Sequence, residues 1–379
     1  MKVTSQDQKH PGRKLKVLHV TNHFYPCIGG IETYILNLSK GLIKQGHTSD
    51  VLCLNTCSKS REKLPASGNY CGINIYRVPY TDFKYYKVTG MIGKYLKSYD
   101  IIHIHGLGFF ADYLSITKML HKKPMILSTY GGMFHTQRLI SLKKAYFFGW
   151  CRVVARSFSK IIAISPEDEK VARQLSGNVQ LVEAGIDYER FSSAKKKLDK
   201  NLLLYVGRIS RNKRVDNLIR TVSYLKKDLK DIKLYIIGED WENLKTGLQK
   251  LAVERDVEKN IVFTGKVSDE KLLEYLSRAN FFVSASEYES FGLSVVESMA
   301  AGCIPILNDI GIFRNLIADG KEGFIVDFNN PESAAKKISA IFGKNIEPIR
   351  KRSRLFSKKY SWDKKVLLVE KIYNDSIGI

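Results

Sequence analysis

Short apolar runs rich in β-branched residues recur along the chain, separated by longer stretches whose apolar residues return every three to four positions. The runs predict buried β-strands and the longer stretches predict amphipathic helices. In the first half, the predicted strands are Leu15–Val20, Ser49–Leu54, Ile101–His105, Met125–Thr129, Ile161–Ile164 and Val179–Val182. The helices predicted between them include Thr33–Lys44 and Leu142–Ser159.

The second half of the chain repeats this rhythm. Its predicted strands are Leu202–Val206, Lys233–Gly238, Ile261–Thr264, Phe281–Ser284, Ile304–Leu307 and Gly323–Val326. Its predicted helices are Val215–Lys227, Trp241–Arg255, Asp269–Ser277, Gly292–Ala301 and Pro331–Phe342. Strands separated by helices indicate βαβ units and parallel sheets. A single layer of about twelve strands is rarely stable, so we predict an α/β protein with two sheets.

The length of 379 residues suits two domains. The polar segment Ser192–Lys200 is the predicted linker, which separates an N-terminal domain over residues 1–191 from a C-terminal domain over 201–361. Two similar α/β halves favour ligand binding in a cleft, at the carboxyl ends of facing strands.

Composition is that of a globular protein, with 44% hydrophobic and 26% charged residues. No apolar run is long enough for a transmembrane helix, and the polar N-terminus does not resemble a signal peptide. The six cysteines form no CxxC pair, which favours reduced thiols and a cytoplasmic location over a disulfide framework or a zinc site. They are Cys27, Cys53, Cys57, Cys71, Cys151 and Cys303.

The net charge of +23 is unusual and unevenly spread. The stretch from Lys84 to Lys160 contains thirteen Lys or Arg residues and two acids, Asp100 and Asp112. Such a positive field attracts nucleic acid, anionic lipid headgroups or phosphorylated substrates. The alternative is a solvated basic face with no partner.

Two segments that follow predicted strands carry candidate phosphate-binding residues. In Phe24–His47, Gly29 and Gly30 precede the first helix, whose N-terminus offers free N–H groups to an anion. In the second segment, the strand Leu202–Val206 is followed by Gly207, Arg208 and Lys213, and both cations suit a diphosphate. The alternatives are a structural glycine turn and ordinary surface charges on a loop rich in arginine, respectively.

Two acids flank a third strand-to-helix turn. Glu289 stands just before the helix predicted from Gly292, and Glu297 lies about two turns inside that helix. The two are too far apart to chelate one ion closely, but they can contact successive parts of an elongated ligand. Glu297 lies among Val295, Val296 and Met299, where an acid indicates a specific hydroxyl partner. The alternatives are a helix-dipole contact for Glu289 and an ion-paired side chain for Glu297.

Together these motifs resemble family 4 of the retaining glycosyltransferases, which have the GT-B architecture of two facing Rossmann-like domains. The resemblance rests on P-x2-G-G-x-E after the first strand, G-R-x4-K at Gly207 to Lys213, and E-x7-E at Glu289 to Glu297. It extends over nearly the whole chain and includes Phe263–Ala279, Ala184–Phe191 and Phe356–Val366. It also implies that residues 362–379 return to the N-terminal domain.

The resemblance implies roles for individual residues. Glu289 would contact the donor sugar and Glu297 the nucleotide ribose, while Arg208 and Lys213 would bind the leaving diphosphate. Backbone N–H groups of Phe291, Gly292 and Leu293 would assist them. Lys266 and Val267 would lie beside the base, and Gly29 and Gly30 would close over the phosphates. No protein nucleophile and no metal ion is implied, because the cations take the metal's role.

The segment Ile126–Thr136 is similar to that of family members that glycosylate sugars linked to polyprenyl diphosphate, several of them mannosyltransferases. Their usual residue at position 130 is His, where this chain has Tyr130. Tyr130 and His105 are the acceptor-side candidates. Three further departures from the family pattern are Asn315 for Glu, Arg214 for Gly and Ala285 for Pro.

The basic region indicates a membrane partner. Within Ser141–Lys160, Arg152, Arg156 and Lys160 recur every four residues, and aromatic residues such as Trp150 supply an apolar side. A basic aromatic helix of this kind suits an anionic membrane surface. The alternative is that its aromatic residues belong to the domain core.

We therefore predict a retaining, metal-independent hexosyltransferase at the inner face of the membrane. It would use a GDP- or UDP-linked mannose or glucose and a lipid-linked saccharide acceptor in cell-surface glycan synthesis. The alternatives are a GT-B epimerase that binds a nucleotide sugar and a basic nucleic-acid-binding protein. No zinc finger, RNA-recognition motif or helix-turn-helix spacing supports the last alternative.

Overall fold

The computed structural model describes residues 13–27, 29–57, 62–83, 86–130, 140–289 and 291–378. The chain forms two compact units, one comprising Met1–Glu183 with Lys365–Ile379 and the other Ala184–Lys364. The segment predicted as a linker, 192–200, therefore lies inside the second unit. It contains the end of one helix and the beginning of a strand, because a polar stretch marks a surface turn whether or not a domain boundary is there.

The first unit contains ten strands and seven complete helices in its described residues. In chain order they are β1 (Lys16–Val20), α1 (Gly30–Lys44), β2 (Thr48–Leu54), β3 (Ser67–Tyr70), β4 (Ile73–Val78), β5 (Tyr80–Asp82), β6 (Lys87–Thr89), α2 (Gly93–Leu96), β7 (Ile101–His105), α3 (Phe109–Ile116), α4 (Lys118–His121), β8 (Met125–Ser128), α5 (Ile140–Phe148), α6 (Trp150–Ala155), β9 (Lys160–Ala163), α7 (Pro166–Ala172) and β10 (Val179–Leu181).

The main sheet of this unit has the strand order β10-β9-β8-β7-β1-β2-β4-β3. Every neighbouring pair is parallel except β3 with β4. The chain moves from β1 outward through β2 and β4, and then returns to place β7 on the other side of β1. The carboxyl ends of β1 and β7 therefore form the switch point, where ligands bind in open α/β sheets.

In the part of the second unit that the structure describes there are six strands and eight complete helices. They are α8 (Tyr188–Ser192), β11 (Asp199–Val206), α9 (Val215–Leu225), β12 (Lys233–Ile237), α10 (Lys245–Glu254), β13 (Ile261–Gly265), α11 (Asp269–Arg278), β14 (Ala279–Ser284), α12 (Leu293–Ala300), β15 (Ile304–Asn308), α13 (Gly311–Leu316), β16 (Phe324–Val326), α14 (Pro331–Phe342) and α15 (Glu347–Ser357).

The sheet of the second unit has the order β13-β12-β11-β14-β15-β16, and all its pairs are parallel. Its switch point lies between β11 and β14. Apolar residues of both strands, including Leu203 and Phe281, are buried in one core with helices α9 and α14. Continuous apolar runs are expected of parallel strands that are covered on both faces.

The prediction of an α/β protein with two parallel sheets is confirmed, and all twelve predicted strands are present. Strands β3, β4, β5 and β6 were not predicted. β3, β5 and β6 are short and mostly polar, and in β4 the polar residues Asn74 and Arg77 interrupt the apolar run. The helix predicted over Leu142–Ser159 is two helices, α5 and α6. They are separated at Gly149, where a Cβ atom would approach the carbonyl oxygen of Ala145 to 2.8 Å.

The last helix, α16 (Trp362–Ile377), returns the C-terminus to the first unit from Lys365 onward. Lys365 forms an ion pair with Glu183 at 3.3 Å, and Glu370 contacts His47 Nε2 at 3.0 Å. The buried Tyr373 hydroxyl lies 2.7 Å from His103 Nδ1 on strand β7. No helix in the described ranges is both long and apolar enough to cross a membrane.

Replacing Tyr373 with phenylalanine is expected to lower the free energy of unfolding by about 1–2 kcal/mol, because His103 Nδ1 then loses its buried partner. Urea denaturation of the purified variant measures this change. Leu367→Ala on the exposed side of the same helix is the matched control and should change stability little. Equal destabilisation by both variants would contradict a specific role for the Tyr373 hydroxyl.

The prediction that all six cysteines are reduced is wrong for two of them in this structure. Cys27 and Cys57 form a disulfide, with their Cα atoms 5.4 Å apart. They follow the neighbouring parallel strands β1 and β2, whose carboxyl ends lie side by side. They are 30 positions apart in sequence, so their proximity depends on strand order and no local sequence pattern indicates it. Cys53, Cys151 and Cys303 are buried free thiols, whereas Cys71 is exposed.

Candidate active site

The loops after β11 and β12 approach each other closely at the carboxyl edge of the second sheet. Gly238 has a φ of +146°, and a Cβ atom there would lie 1.9 Å from the carbonyl oxygen of Gly207. Glycine is therefore required at position 238. This contact fixes the backbone immediately before Arg208, whose carbonyl oxygen accepts a hydrogen bond from the Tyr205 hydroxyl at 2.8 Å.

A cation and an acid from the two predicted motifs meet at the β11/β14 switch point. Lys213 Nζ lies 2.5 Å from Glu289 Oε1, and their side chains are only 12% and 15% exposed. The Ser286 hydroxyl donates to the same carboxylate oxygen at 3.1 Å. Two donors therefore hold the Glu289 carboxylate in one orientation, and Lys213 places a positive charge at the point where the strand order reverses.

Arg208 lies on the same edge and is exposed. Its guanidinium stacks over the ring of Trp241 at 4.5 Å, a contact that orients the group while keeping its charge. Lys266 and Val267 follow β13 at this edge, and Lys266 Nζ is 3.5 Å from a carboxylate oxygen of Glu239. These residues line up along neighbouring strand ends, as an elongated ligand would need.

Helix α12 begins beside Glu289. Gly292 has a φ of +90°, in the left-handed region that favours glycine, and Phe291 is buried. The first N–H groups of a helix have no partner within it, so the turn from Phe291 to Leu293 presents donors and the positive end of the helix dipole. Ser290, which the sequence places in this turn, lies outside the described residues.

Glu297 lies on the side of α12 that faces α8, and its side chain is partly buried. The pKa of its carboxyl is raised to about 7, mainly by burial; Arg190 opposes this rise, and the acids Asp269 and Asp187 add to it. The carboxyl is therefore close to half ionised at neutral pH. A carboxyl whose pKa is shifted this far by burial is a candidate for a functional group.

Arg190 is a residue of this site that the sequence analysis missed. Its Nη1 contacts Asp269 at 3.0 Å, and its buried Nη2 has no hydrogen-bond partner among the described residues. An unpartnered buried donor beside Glu297 indicates a ligand position. A sequence signal for this residue existed: Asp187 is a typical N-cap, and Arg190 is the third residue of the five-residue helix α8 that follows it.

In the first unit, Gly29 is the N-cap of α1 and Gly30 its first residue. A Cβ atom at Gly29 would collide with the Glu32 side chain, whereas none of the described atoms lies within 4 Å of one at Gly30. Both glycines follow β1 at the switch point of the first sheet. They are therefore placed where a backbone approach to a ligand is possible.

Three histidines form a buried cluster on the central strands of this sheet: His19 on β1, and His103 and His105 on β7. His19 bonds to His105 Nε2 at 2.9 Å and to the Ser49 hydroxyl at 3.0 Å. His103 bonds to the hydroxyls of Tyr373 and Ser128, and His105 Nδ1 to that of Tyr130. All six ring nitrogens have partners, so hydrogen bonding accounts for the cluster without a bound cation.

Burial lowers the pKa of His19 to about 3 and holds those of His103 and His105 well below their usual range, so the cluster is neutral. Neutral His19 and His105 carry two protons for three hydrogen bonds along the line Ser49–His19–His105–Tyr130. One of the end hydroxyls must therefore donate inward. When Ser49 donates, the Tyr130 hydroxyl accepts from His105 and is able to donate to a ligand.

The two acceptor-side candidates have different positions. His105 is 5% exposed, with both nitrogens engaged, so it supports Tyr130 rather than facing a ligand. Tyr130 is partly exposed and has a φ of +56°, in the left-handed region, where the chain leaves β8. Residues 131–136 of the segment that carries the resemblance lie outside the described residues. The histidines on alternate positions of IIHIH were the sequence signal for the cluster.

The chain matches two family models, "Glycosyltransferase Family 4" over residues 28–190 and "Glycosyl transferases group 1" over residues 187–360. It is 31% identical over 377 residues to the GDP-mannose:cellobiosyl-diphosphopolyprenol alpha-mannosyltransferase of Xanthomonas oryzae, covering 96% of this chain and 98% of the relative. The chain belongs to glycosyltransferase family 4. The resemblance drawn from its motifs is confirmed, and the protein is a glycosyltransferase.

A second relative, from Komagataeibacter xylinus, carries the same name and is 29% identical over 98% of this chain and 96% of its own. Among solved structures, Anabaena Alr3699/HepE in complex with UDP and glucose superposes with a TM-score of 0.71 at 14% identity, covering 95% of this chain and all of that one. This likeness confirms the predicted GT-B fold of the glycosyltransferase.

Proposed function

We propose that this glycosyltransferase moves mannose from GDP-mannose to a saccharide carried on a polyprenyl diphosphate, with retention of the anomeric configuration. The observation that carries the proposal is the 31% identity over almost the whole length of both chains to a transferase named for that donor and a cellobiosyl-diphosphopolyprenol acceptor. Likeness of this extent includes both units, and therefore both substrate-binding halves.

The second unit has the groups that cleavage of a glycosyl–diphosphate bond requires. Negative charge grows on the leaving nucleoside diphosphate, and preorganised donors at that position lower the barrier. Arg208, Lys213 and the first N–H groups of α12 supply them from neighbouring strand ends. Metal-independent transfer is consistent with this set, because side-chain cations can neutralise the diphosphate.

The acids of the second unit suit the neutral parts of the donor. Glu289 is held by Lys213 and Ser286 and can accept a hydrogen bond from a sugar hydroxyl. Glu297 can accept from the ribose hydroxyls, and the unpartnered Arg190 Nη2 supplies a donor beside it. A guanine or uracil base would then lie near Lys266 and Val267 at the end of β13.

The first unit supplies the acceptor side of the proposed reaction. Tyr130 presents a hydroxyl that is hydrogen-bonded to His105 Nδ1, and the Gly29–Gly30 turn allows a close backbone approach. The acceptor's polyprenyl chain lies in a bilayer, so the protein must work at a membrane surface. We propose the inner, anionic face of the membrane as that surface, where a basic unit is attracted.

The proposal is tested by incubating the purified protein with GDP-mannose and a synthetic polyprenyl-diphosphate disaccharide. We expect a trisaccharide product with an α-linked mannose, identified by mass and by its anomeric NMR signal. UDP-glucose and UDP-mannose are the comparison donors, and GDP-mannose should be preferred to both. Calorimetric titration with GDP, UDP and ADP measures the choice of base independently of the acceptor.

A β-linked product would contradict retention, and transfer from UDP-glucose in preference to GDP-mannose would contradict the donor. Binding of a nucleotide sugar followed by its conversion to an epimer without any acceptor would support the epimerase alternative. Binding of RNA with none of the three nucleotides bound would contradict the proposed function as a whole.

A further inference from the structure

The segment predicted to contact the membrane has only one of its faces in the core. In Ser141–Lys160, Phe147, Cys151 and Val154 are buried. The Tyr146 hydroxyl donates to Asp112 at 2.7 Å, and Arg152 Nε donates to the Gln174 carbonyl oxygen at 3.0 Å. Its other face carries Phe148, Trp150 and Val153, which are 41%, 40% and 52% exposed. Four more strongly exposed apolar side chains of the first unit lie outside this segment.

We propose that four aliphatic side chains at the ends of α2, α3 and α4 insert into an anionic lipid bilayer. This aliphatic patch consists of Met91, Ile116, Met119 and Leu120, which are 89%, 66%, 83% and 84% exposed. The inference rests on the proposed function, because the acceptor's lipid would lie in the same bilayer.

Two members of the patch line the same groove, and the other two lie next to them in sequence or one helix earlier. Met91 and Leu120 line a single groove of about 570 Å³, and Leu96 and Tyr113 line the same groove. Met119 precedes Leu120 on the short helix α4, and Ile116 ends the helix before it. Contiguous exposed apolar side chains are uncommon on monomeric proteins and mark protein or membrane contacts.

The exposure does not arise from a frayed segment. His121 Nε2 bonds to the Leu114 carbonyl oxygen at 2.9 Å, and Lys118 Nζ donates to the Ser157 carbonyl oxygen at 2.9 Å. Lys123 Nζ donates to the carbonyl oxygens of Tyr99 and Lys97 at 2.7 and 3.0 Å. The backbone of α4 is therefore tied to the unit on both sides, while its apolar side chains point to solvent.

The charges around the patch select a lipid surface. The stretch Met91–Lys123 contains five lysines and two acids. Lys94, Lys97 and Lys122 are exposed. Both acids already have partners. Asp112 is buried and accepts hydrogen bonds from two tyrosine hydroxyls, and Asp100 forms an ion pair with Arg13 at 3.1 Å. Aliphatic side chains surrounded by lysines fit acyl chains below anionic headgroups.

The position of the patch also fits the proposed acceptor. Helix α3 begins just beyond the carboxyl end of β7, near the switch point, and ends at Ile116 in the patch. Eight helical residues rise about 12 Å. A diphosphate-linked saccharide that leaves the bilayer at the patch would therefore need to extend over about that distance to reach the strand ends.

Co-sedimentation with vesicles tests the patch. Wild-type protein is expected to bind vesicles of phosphatidylcholine with phosphatidylglycerol more tightly than vesicles of phosphatidylcholine alone. The double variant Met119→Gln, Leu120→Gln should lower partitioning into both vesicles by about tenfold, because burial of two aliphatic side chains is lost. The triple variant Lys94→Gln, Lys97→Gln, Lys122→Gln should lose the preference for phosphatidylglycerol and its salt dependence.

The matched control is Val253→Gln with Leu355→Gln, two residues of the second unit that are 63% and 72% exposed. It should partition like the wild type. Equal partitioning of the Met119→Gln, Leu120→Gln variant and the wild type would overturn the proposal. So would a wild-type dimer in analytical ultracentrifugation that becomes monomeric in this variant, since the patch would then dock a second copy.

Activity separates this inference from the proposed function. With a water-soluble short-chain acceptor, the Met119→Gln, Leu120→Gln variant should retain wild-type turnover. With a full-length polyprenyl acceptor in vesicles, its turnover should fall about as much as its partitioning. Wild-type protein that transfers to neither acceptor but binds vesicles through the patch would contradict the proposed function and leave the membrane surface supported.

Discussion

Replacing Lys213 with alanine is expected to lower kcat/KM about 10²- to 10³-fold, as removal of one preorganised donor to a developing anion does in other enzymes. The structure gives two reasons for so large an effect. The ammonium group lies at the β11/β14 switch point, where the proposed diphosphate would leave. It is also the cation 2.5 Å from the Glu289 carboxylate, which is 15% exposed and would lose its charge partner.

Steady-state kinetics with separate kcat and KM values measure this prediction, and we expect most of the loss in kcat. Lys226→Ala is the matched control, because that lysine forms an exposed ion pair with Asp256 and should leave both constants unchanged. The double variant Lys213→Ala, Glu289→Gln tests the coupling. Its effect should be smaller than the sum of the two single effects, since the unpaired acid is removed.

Unchanged turnover in Lys213→Ala would show that the Lys213–Glu289 ion pair has no role in the reaction. A loss confined to KM would mean that Lys213 binds the donor equally in the ground state and the transition state. Either result would contradict the role in leaving-group stabilisation proposed for Lys213.

Replacing Glu297 with glutamine is expected to stabilise the nucleotide-free protein at alkaline pH and to weaken nucleotide binding. Burial raises the pKa of this carboxyl from 4.5 to about 7, so the folded protein binds the proton more tightly than the unfolded chain. The carboxyl therefore costs no stability below its unfolded pKa. The cost grows as the pH rises from 4.5 and is complete above about 7.

The difference between these pKa values corresponds to about 3 kcal/mol. Urea denaturation at pH 8.5 should show the Glu297→Gln variant more stable than the wild type by up to that amount, and the difference should shrink towards pH 5. Exposed Glu254→Gln is the matched control and should change stability at neither pH. A variant that is less stable than the wild type at pH 8.5 would contradict the assigned cause of the shift.

Nucleotide affinity should move in the opposite direction. A carboxylate accepts hydrogen bonds from two ribose hydroxyls more strongly than an amide oxygen does, so Glu297→Gln should weaken binding of the matching nucleotide about tenfold by calorimetry. For the wild type, affinity should rise between pH 6 and pH 8, as the carboxyl ionises. If the affinity of both the wild type and Glu297→Gln were independent of pH, the proposed contact of Glu297 with the ribose would be contradicted.

The strand and helix pattern was predictable because it depends on local sequence. Parallel strands covered on both faces require continuous apolar runs, and helices between them require apolar residues every three to four positions. The Gly207–Lys213 and Glu289–Glu297 motifs were visible for the same reason, since each spans one strand-to-helix turn. Helix Leu142–Ser159 was predicted too long because its periodicity continues across the break at Gly149.

By itself, the sequence determined the α/β class, the positions of twelve of the sixteen described strands, and the family with its enzymatic class. The tertiary structure alone decided which distant residues meet. Strand order brings Lys213 to Glu289, pairs Cys27 with Cys57, and places His19 beside His105. Such contacts join residues 30 to 86 positions apart, so no local spacing encodes them. The physical reason is that a parallel sheet gathers all its carboxyl strand ends at one edge.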